Sequence, residues 1–545
     1  MKRSVTDVKL NVKPVFIGFE HQYYYEGPCR MAGGDAIKPG FDAIVQGKML
    51  KGFLANVQKY VAATGANVLE PAVVCCTDDW DIKDAYFEEM LTDEARTDLY
   101  VVMSNFGANQ VLVEFCCRTS KPVAMNPTKS FGAMSTAPAA RRGADILPAF
   151  DWPEVARYCR LLRAEKAVRT ANILLAPRFD STTPKAGGND SFVCLSDVTR
   201  KLGCHFRHVN VHELMDMMDP LPEDGNPTTP GRATPNITSD ELTRCEDMAD
   251  ELMAGADPCI VDKSFVVKSL VAWTVVQKLM DEYDCAGFAA PCPDACSTRR
   301  LNEQQFTFCL AHSLNLEQGF GSACEYDVTS VVCMIAEMAL SNSAAYMGNT
   351  LPVVVTEGHI EWPVNMHEED VAGIPLEEAA NLYSVIHSTP CRKLHGLEAA
   401  ADAYALRHFA YDQGFGTIQR HDFTADAGQR VTLCRISPTL DEMLIVSGEI
   451  VVGTGFDTDN CNGGFVFKVA DARDLFKKQM RFGLHLPLVY GDIADDLAEL
   501  ARRLDLSVVR AQKKPSRPVR RRARRTGRAK TGKPGSERTD HAQRG

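Results

Sequence analysis

The hydrophobic and polar positions of the first 130 residues alternate between strand and helix spacing. Residues 15–19 and 99–103 are short apolar runs of the length expected for buried strands. Residues 41–63 lie between them and carry apolar side chains at helical spacing. Because strands that alternate with helices form parallel sheets with right-handed crossovers, the pattern predicts an α/β domain with a Rossmann- or flavodoxin-like sheet over residues 1–150.

The same alternation begins again near Asp151 and predicts a second α/β domain of this kind over residues 151–350. Two helical segments and two strand-like segments carry the pattern: 153–169, 264–280, 208–211 and 287–290. Thr238 and Glu241 have the spacing of a capping box, which predicts that a helix begins there.

Beyond residue 350 the pattern changes to short β-rich segments with few helices. Apolar and β-branched residues dominate residues 430–436, 449–452 and 465–467. They predict a mainly antiparallel, barrel-like domain over residues 351–510. The fold expected for the chain is therefore α/β, with two Rossmann- or flavodoxin-like domains followed by a β-rich C-terminal domain.

Charge separates the last 35 residues from the rest of the chain. Residues 511–545 hold 13 Lys and Arg against 2 Asp and Glu, a balance of +11, whereas the remainder has a balance of −22. An acidic body argues against nucleic-acid binding as the main function. The tail has almost no apolar residues after Val519, which predicts a disordered segment with weak affinity for polyanions.

The composition favours a cytoplasmic protein. No run of about 18 uninterrupted apolar residues occurs, so a membrane-spanning helix is not expected, and the N-terminus has no apolar stretch of the secretory kind. The 19 cysteines are scattered without a Cys-x-x-Cys pair, which gives no support to a zinc ribbon. We interpret most of them as small buried groups that stay reduced.

The most informative motif is residues 314–329, which read Leu-Asn-Leu-Glu-Gln-Gly-Phe-Gly-Ser-Ala-Cys-Glu-Tyr-Asp-Val-Thr. This segment resembles the L-fucose isomerase family, part of the L-fucose and L-arabinose isomerase group, in which a Cys-Glu-x-Asp sequence opens a helix. Four further segments resemble the family in the same order, so that the likeness spans roughly residues 10–510: 290–293, 385–389, 429–436 and 483–492.

The resemblance implies a set of site residues. Glu325 would ligate a divalent metal, Mn²⁺ by preference, and move the proton, and His485 would be a second ligand. Asn349 stands where family members have an aspartate that ligates the metal and acts as acid and base; an amide oxygen can ligate but cannot carry a proton. The family's adjacent pair of histidines is reduced to His485 alone. His387 would bind a sugar hydroxyl or be a structural core histidine, with equal support for each.

The chemistry of aldose–ketose conversion favours the same residues. Moving a proton between adjacent carbons through an enediol requires a carboxylate near the C–H bond and an electrophile on the two sugar oxygens. A divalent cation held by carboxylate and imidazole groups supplies the electrophile. Glu325 precedes an apolar helix, where the helix dipole favours a carboxylate. In isolation it would be interpreted as a helix cap together with Asp327.

The sequence therefore predicts a metal-dependent sugar isomerase that takes a monosaccharide, whose identity and substituents the sequence leaves open. The family resemblance implies a homo-oligomer, a hexamer or a trimer. Asn349 favours an alternative, a sugar-binding relative without proton-shuttle activity. A nucleic-acid-associated protein directed by the tail is a third interpretation, which the acidic body opposes. Glu357 and His359, just after Asn349, are interpreted as surface residues at a strand end.

Overall fold

The computed structural model describes residues 3–20, 40–77, 81–127, 132–177, 193–228, 233–292, 303–362, 366, 371, 373–410 and 414–511. Up to Gln512 the chain forms one compact unit. The basic tail predicted over residues 511–545 lies, apart from Ala511, outside the described residues. Within the described ranges, no helix is both long enough and apolar enough to cross a membrane. The fold is mixed α/β, with two parallel sheets and one larger, mainly antiparallel sheet.

The first sheet consists of six parallel strands in the spatial order β2/β3-β1-β4-β5-β6, where β2 and β3 share one edge of β1. The strands are β1 Asn11–Glu20, β2 Asn67–Val68, β3 Ala72–Thr77, β4 Leu99–Ser104, β5 Val123–Met125 and β6 Ile146–Leu147. The helices between them are α1 Phe41–Asn56, α2 Asp84–Met90, α3 Asn109–Arg118 and α4 Ala133–Arg141.

The second sheet has four parallel strands in the order β8-β7-β10-β11. These strands are β7 Asn172–Leu175, β8 His205–His208, β10 Cys285–Ala289 and β11 Gly321–Ala323. Its helices are α5 Trp152–Arg169, α6 Leu195–Leu202, α7 Val211–Asp216, α8 Ser239–Gly255, α9 Lys263–Glu282, α10 Cys309–Glu317 and α11 Val328–Ser341. In both parallel sheets the chain starts at an inner strand, adds one neighbour and then continues on the other side, which creates a switch point in strand order.

The third sheet runs β12-β15-β20-β19-β18-β21, with antiparallel pairing between these neighbours. Its strands are β12 Asn349–Pro352, β15 Leu382–His387, β18 Arg430–Ile436, β19 Glu442–Gly453, β20 Gly463–Lys468 and β21 Leu488–Tyr490, and β22 Ser507–Arg510 pairs with β19 in parallel. Isolated bridges between Tyr346 and Leu488 and between Asn349 and His485 join the two end strands. The order of strands therefore closes on itself, and β12 spans the domain boundary predicted at residue 350.

Smaller elements complete the described chain. Strands β13 Val354–Thr356 and β14 His359–Glu361 form a hairpin, and β16 Tyr404–His408 pairs with β17 Thr417–His421 and with β9 Cys259–Ile260. The remaining helices are α12 Leu376–Ala379, α13 Ala472–Gln479 and α14 Ala494–Arg503.

Local sequence signals account for the start of helix α8. The Thr238 hydroxyl accepts a hydrogen bond from the Glu241 N–H at 3.2 Å, and the Glu241 carboxylate accepts one from the Thr238 N–H at 2.9 Å. The predicted capping box is confirmed, and it satisfies two backbone donors that the first helical turn would otherwise leave without a partner.

The strand predicted over residues 208–211 is wrong in its bounds. The strand ends at His208, and the Asn210 side chain already accepts a hydrogen bond from the His212 N–H at 2.9 Å, which caps helix α7. An asparagine oxygen at a helix start offers the backbone a local partner, and this interaction overrides the strand-like spacing of the two valines beside it.

Helix α11 is the central element of the fold. Every residue from Val328 to Leu340 is buried, and the helix contacts strands β10, β11, β18 and β21. Gly321 permits this close approach, because a Cβ atom there would lie 2.9 Å from the Val331 carbonyl oxygen and from the Ile335 side chain. The N-terminus of α11 consequently lies where the second parallel sheet meets the antiparallel sheet.

Candidate metal centre

Glu325 lies in the tight turn that leads from strand β11 into helix α11. It has φ of 59°, and the next residue, Tyr326, has φ of 57°. Two consecutive non-glycine residues in the left-handed region cost on the order of 1 kcal/mol each, so the surrounding structure must hold the turn. It does so through hydrogen bonds from the Tyr326 N–H to the Ala290 carbonyl at 2.9 Å and from the Asp327 N–H to the Cys324 carbonyl at 3.1 Å.

Two histidines from the antiparallel sheet face the Glu325 carboxylate. His387 ends strand β15, and its Nε2 lies 3.8 Å from Glu325 Oε1. His485 lies three residues before strand β21, and its Nε2 is 3.7 Å from Glu325 Oε2. The two imidazole rings meet edge to face with centroids 5.5 Å apart. One potential ligand atom from each residue lies within 4.8 Å of the other two.

Asp327 orients His485. Its Oδ2 lies 2.9 Å from His485 Nδ1, and the same oxygen is 2.5 Å from Nη1 of Arg435. Asp327 also caps helix α11, because its Oδ1 accepts a hydrogen bond from the Ser330 N–H at 3.0 Å. A carboxylate on one imidazole nitrogen sets the orientation of the ring and makes the other nitrogen a better metal ligand.

The protonation states favour metal binding. Burial raises the pKa of Glu325, but the nearby His387 and the charge of His485 outweigh burial, and the net pKa lies below its usual value. Burial lowers the pKa of His387 and outweighs the opposing effect of Glu325. Near neutral pH the carboxylate is therefore ionised and His387 is neutral, which are the forms that bind a cation.

The donor set fits a divalent transition metal. Two imidazoles and one carboxylate form a recurrent protein site for iron and zinc, and imidazole and carboxylate ligands also accept manganese. The buried Nε2 of His387 has no hydrogen-bond partner among the described residues, as expected of a nitrogen whose partner is a cation. The residues present therefore fit a divalent metal ion.

Asn349 lies opposite His485. Their backbones form an isolated antiparallel bridge. One hydrogen bond lies on each side of it: the Thr350 N–H donates to the Leu484 carbonyl at 3.0 Å, and the Leu486 N–H donates to the Gly348 carbonyl at 3.2 Å. In such a non-hydrogen-bonded pair the two side chains lie on the same face and close together. The structure thus pairs Asn349 with His485, whereas the three residues whose ligand atoms lie together are Glu325, His387 and His485.

Of the four residues singled out from the sequence, the structure brings Glu325, His387 and His485 together, and Asn349 pairs with His485 through a backbone bridge. His387 was expected either to bind a sugar hydroxyl or to be a structural core histidine, and it lies in the cluster. Glu357 and His359 are exposed on the β13–β14 hairpin, as interpreted. Sequence reasoning did not identify Asp327 as the partner of His485, because the residues that pair with it are 108 and 158 positions away.

A second cluster lies next to Glu325 and was missed. Cys292, His312 and Cys324 also place potential ligand atoms within 4.8 Å of one another. A hydrogen bond from Cys324 lowers the pKa of the Cys292 thiol well below its usual value, despite burial, and the pKa of Cys324 is raised. The signal that could have identified this cluster is the position of its two cysteines. Each closely follows the carboxyl end of a strand in the second parallel sheet, and open α/β sheets bind ligands at that edge.

Comparisons with known proteins supply no family for this chain. A scan against protein-family models finds no match to the sequence, and a search of curated proteins finds no match either.

Proposed function

We propose that this chain is a metal-dependent aldose–ketose isomerase of the L-fucose isomerase type, acting on a monosaccharide. The observation that carries the proposal is the meeting of Glu325, His387 and His485, which come from widely separated segments. A divalent cation held by these three residues, Mn²⁺ by preference, would polarise the sugar's carbonyl and hydroxyl oxygens.

The fold supports the proposal. Both parallel sheets have the strand order with a switch point that flavodoxin-like sheets share. Glu325 follows the carboxyl end of β11, which is where open α/β sheets carry ligands. The closed order of the third sheet is in accord with the barrel-like domain expected from its sequence. These features favour the three-domain arrangement that the hydrophobic pattern of the sequence predicts.

Glu325 is the residue that would move the carbon-bound proton. Its side chain is 19% exposed, whereas those of His387 and His485 are 2% and 0% exposed, so the carboxylate is the member of the cluster that a sugar can reach. An ionised carboxylate can remove the proton from the carbon beside the carbonyl and return it to the neighbouring carbon. The buried Asp327 holds His485 in place during the reaction.

A second candidate function is sugar binding without isomerisation. Asn349 beside His485 favours it, because an amide cannot carry the second proton between the two sugar oxygens. The two candidates share the metal and the sugar site and differ only in turnover.

The test combines metal titration with sugar turnover. Metal-stripped protein is titrated with Mn²⁺ by calorimetry and assayed with a panel of aldoses, for the wild type and for Glu325→Gln and His485→Gln. Both variants should bind Mn²⁺ at least tenfold more weakly, and Glu325→Gln should lose turnover by about 10²-fold or more. Glu357→Gln and His359→Gln, the same changes on the exposed hairpin, are the matched controls and should change neither.

Mn²⁺ affinity that is unchanged in Glu325→Gln would overturn the proposed site. Metal and sugar binding without turnover would favour the sugar-binding relative. The family resemblance also leads us to propose a homo-oligomer, a hexamer or a trimer, and light scattering that gives a monomer mass at micromolar concentration would contradict this part.

A further inference from the structure

Two thiols and one imidazole lie beside Glu325 and have no part in the proposed isomerisation. Cys292 follows strand β10, and Cys324 follows the adjacent parallel strand β11, with Ala289 and Ala323 paired between them. His312 comes from helix α10, and its Nε2 lies 3.6 Å from Cys292 Sγ. Cys324 Sγ lies within 4.8 Å of the same sulfur. Cys292 is half-buried, whereas Cys324 and His312 are 2% and 0% exposed.

A chain of buried hydrogen bonds determines which atoms donate in this cluster. Trp273 Nε1 and Gln277 Nε2 lie 3.1 Å and 2.6 Å from the same atom of the Asn315 side chain. An indole N–H can only donate, so this atom is the amide oxygen. The amide nitrogen of Asn315 is then the group that lies 3.0 Å from Ser322 Oγ, and it donates to that oxygen.

The relay continues from Ser322 to Cys292. Ser322 Oγ accepts from Asn315, and its only other hydrogen-bond partner among the described residues is His312 Nδ1 at 2.8 Å. The buried hydroxyl therefore donates its proton to Nδ1, which places the ring's own proton on Nε2. This N–H points at Cys292 Sγ. The Cys292 sulfur therefore has an N–H donor at 3.6 Å and a second thiol within 4.8 Å, which is the arrangement of a reactive cysteine beside its resolving cysteine.

We propose that Cys292 is a nucleophilic thiol that reacts with hydroperoxides, with Cys324 as the thiol that resolves the product. The Cys292 thiolate attacks the terminal peroxide oxygen, an S–O bond forms as the O–O bond breaks, and the leaving alkoxide or hydroxide takes up a proton. The Cys324 sulfur then attacks the sulfenic acid, forms the S–S bond and releases water. Overall, two thiols and one hydroperoxide give a disulfide, an alcohol or water, and water, with two electrons passing from sulfur to the peroxide.

The disulfide would act on the neighbouring site. Cys324 directly precedes Glu325 and accepts at its carbonyl the hydrogen bond from Asp327 that holds the left-handed turn. Drawing the Cys324 sulfur onto Cys292 displaces this turn and with it the Glu325 carboxylate. Reversible loss of Mn²⁺ binding on oxidation follows. This consequence rests on the proposed function, whereas the thiol chemistry does not.

The experiment treats the reduced full-length chain with a few equivalents of hydrogen peroxide and maps the cysteines by differential alkylation, proteolysis and mass spectrometry. A Cys292–Cys324 crosslink that dithiothreitol reverses is expected, formed before oxidation of the exposed Cys75, Cys194 and Cys259. In Cys324→Ala the reaction should stop at a sulfenic acid on Cys292, which dimedone traps.

Ser322→Ala tests the relay, because it removes the proton donor to His312 Nδ1 and should slow oxidation of Cys292 about tenfold. Ser313→Ala is the matched control and should leave the rate unchanged, since the buried Ser313 hydroxyl bonds only to the Cys309 carbonyl among the described groups. Thermal unfolding of both variants verifies that they fold.

Two outcomes would overturn the proposal. One is a Cys292 that remains reduced while exposed cysteines oxidise. The other is a Zn²⁺ complex that shields Cys292 and Cys324 from alkylation and prevents the crosslink, which would make the cluster a metal site. If the crosslink forms in a protein that turns over no aldose, the thiol proposal is supported and the proposed isomerase function is contradicted. If the protein turns over an aldose but forms no crosslink, the isomerase function is supported and the thiol proposal is contradicted.

Discussion

Oδ2 of the buried Asp327 lies 2.9 Å from Nδ1 of His485, and this contact joins the start of helix α11 to the antiparallel sheet. The two residues are 158 positions apart in the chain. Because Glu325 lies two residues before Asp327, the same contact also sets the position of the Glu325 carboxylate relative to the His485 ring. The candidate metal centre therefore depends on a residue that does not itself belong to the ligand set.

Asp327→Asn should weaken Mn²⁺ binding by about 10- to 100-fold, because the amide orients His485 less firmly and no longer makes its ring more basic. Calorimetric titration of the folded variant measures the effect. The variant also leaves Arg435 without its carboxylate, so thermal unfolding must be followed in parallel. A folded Asp327→Asn protein with wild-type affinity would show that the contact is only structural.

Asn349→Asp should raise the isomerase rate at least about tenfold, because it places a carboxylate beside His485 that can carry the second proton. The measurement is kcat for the aldose that the wild type turns over fastest. Turnover that appears only in the variant would identify the natural protein as the sugar-binding relative. A rate that falls in Asn349→Asp would mean that the amide itself has a specific role.

The ion pair between Asp327 and Arg435, in which both side chains are fully buried, should make the protein sensitive to acid. Burial raises the pKa of Asp327, but Arg435 and His485 outweigh burial and hold this pKa well below its usual value. The folded state therefore binds fewer protons than the unfolded state in acid. The stabilisation is complete above the unfolded pKa of about 4 and is lost as the pH falls through the folded pKa.

Arg435→Met tests this pair. It should lower the free energy of unfolding at pH 7 by about 3–5 kcal/mol, because the carboxylate is left buried without its counter-charge. Denaturant titrations between pH 4 and pH 8 provide the values. Arg430→Met, at an exposed position on the same strand, should have an effect below about 1 kcal/mol. Equal effects of the two substitutions would refute the role of the buried pair.

Glu337 should have the opposite pH dependence. It is fully buried in helix α11, and neither carboxylate oxygen has a hydrogen-bond partner among the described residues. Burial raises the pKa of Glu337 well above its usual value, with a smaller contribution from Cys333. The folded state then holds a proton that the unfolded state loses, so this residue lowers stability as the pH rises above about 4.3.

Glu337→Met should therefore stabilise the protein at pH 8 by on the order of 1 kcal/mol, since it replaces an unpartnered carboxyl by an apolar side chain of similar length. The gain should shrink as the pH is lowered towards 4.5. Glu337→Gln removes the ionisation but keeps a polar group, and should lose the pH dependence without the full gain. Destabilisation by Glu337→Met at every pH would indicate a partner that the carboxyl needs.

Removal of residues 513–545 should leave metal binding and turnover unchanged and abolish binding to RNA. The tail holds 13 Lys and Arg against 2 Asp and Glu in a chain of net charge −11, and phosphate contacts made by lysine and arginine weaken steeply as salt rises. Filter binding at several salt concentrations, together with the aldose assay, measures both properties. A folded truncation that loses turnover would assign the tail a part in the sugar chemistry.

Local patterns in the sequence determined most of the secondary structure. The two alternating strand–helix regions, the capping box at Thr238 and the change to β-rich segments beyond residue 350 all depend on interactions within one or two turns of chain. Such interactions produce a regular spacing of apolar and polar residues along the chain. Where two local signals competed, as at Asn210, the prediction of the strand was wrong.

The sequence also determined that Glu325 would precede an apolar helix, but only the tertiary structure decided what faces it. His387 became part of the cluster because strand β15 ends beside that helix, and Asn349 and His485 came together because a bridge joins the two end strands of the third sheet. The hydrogen-bond relay from Trp273 to Cys292 likewise needs α9, α10 and β11 packed together. Contacts of this kind depend on strand register and helix packing, which leave no local period in the chain.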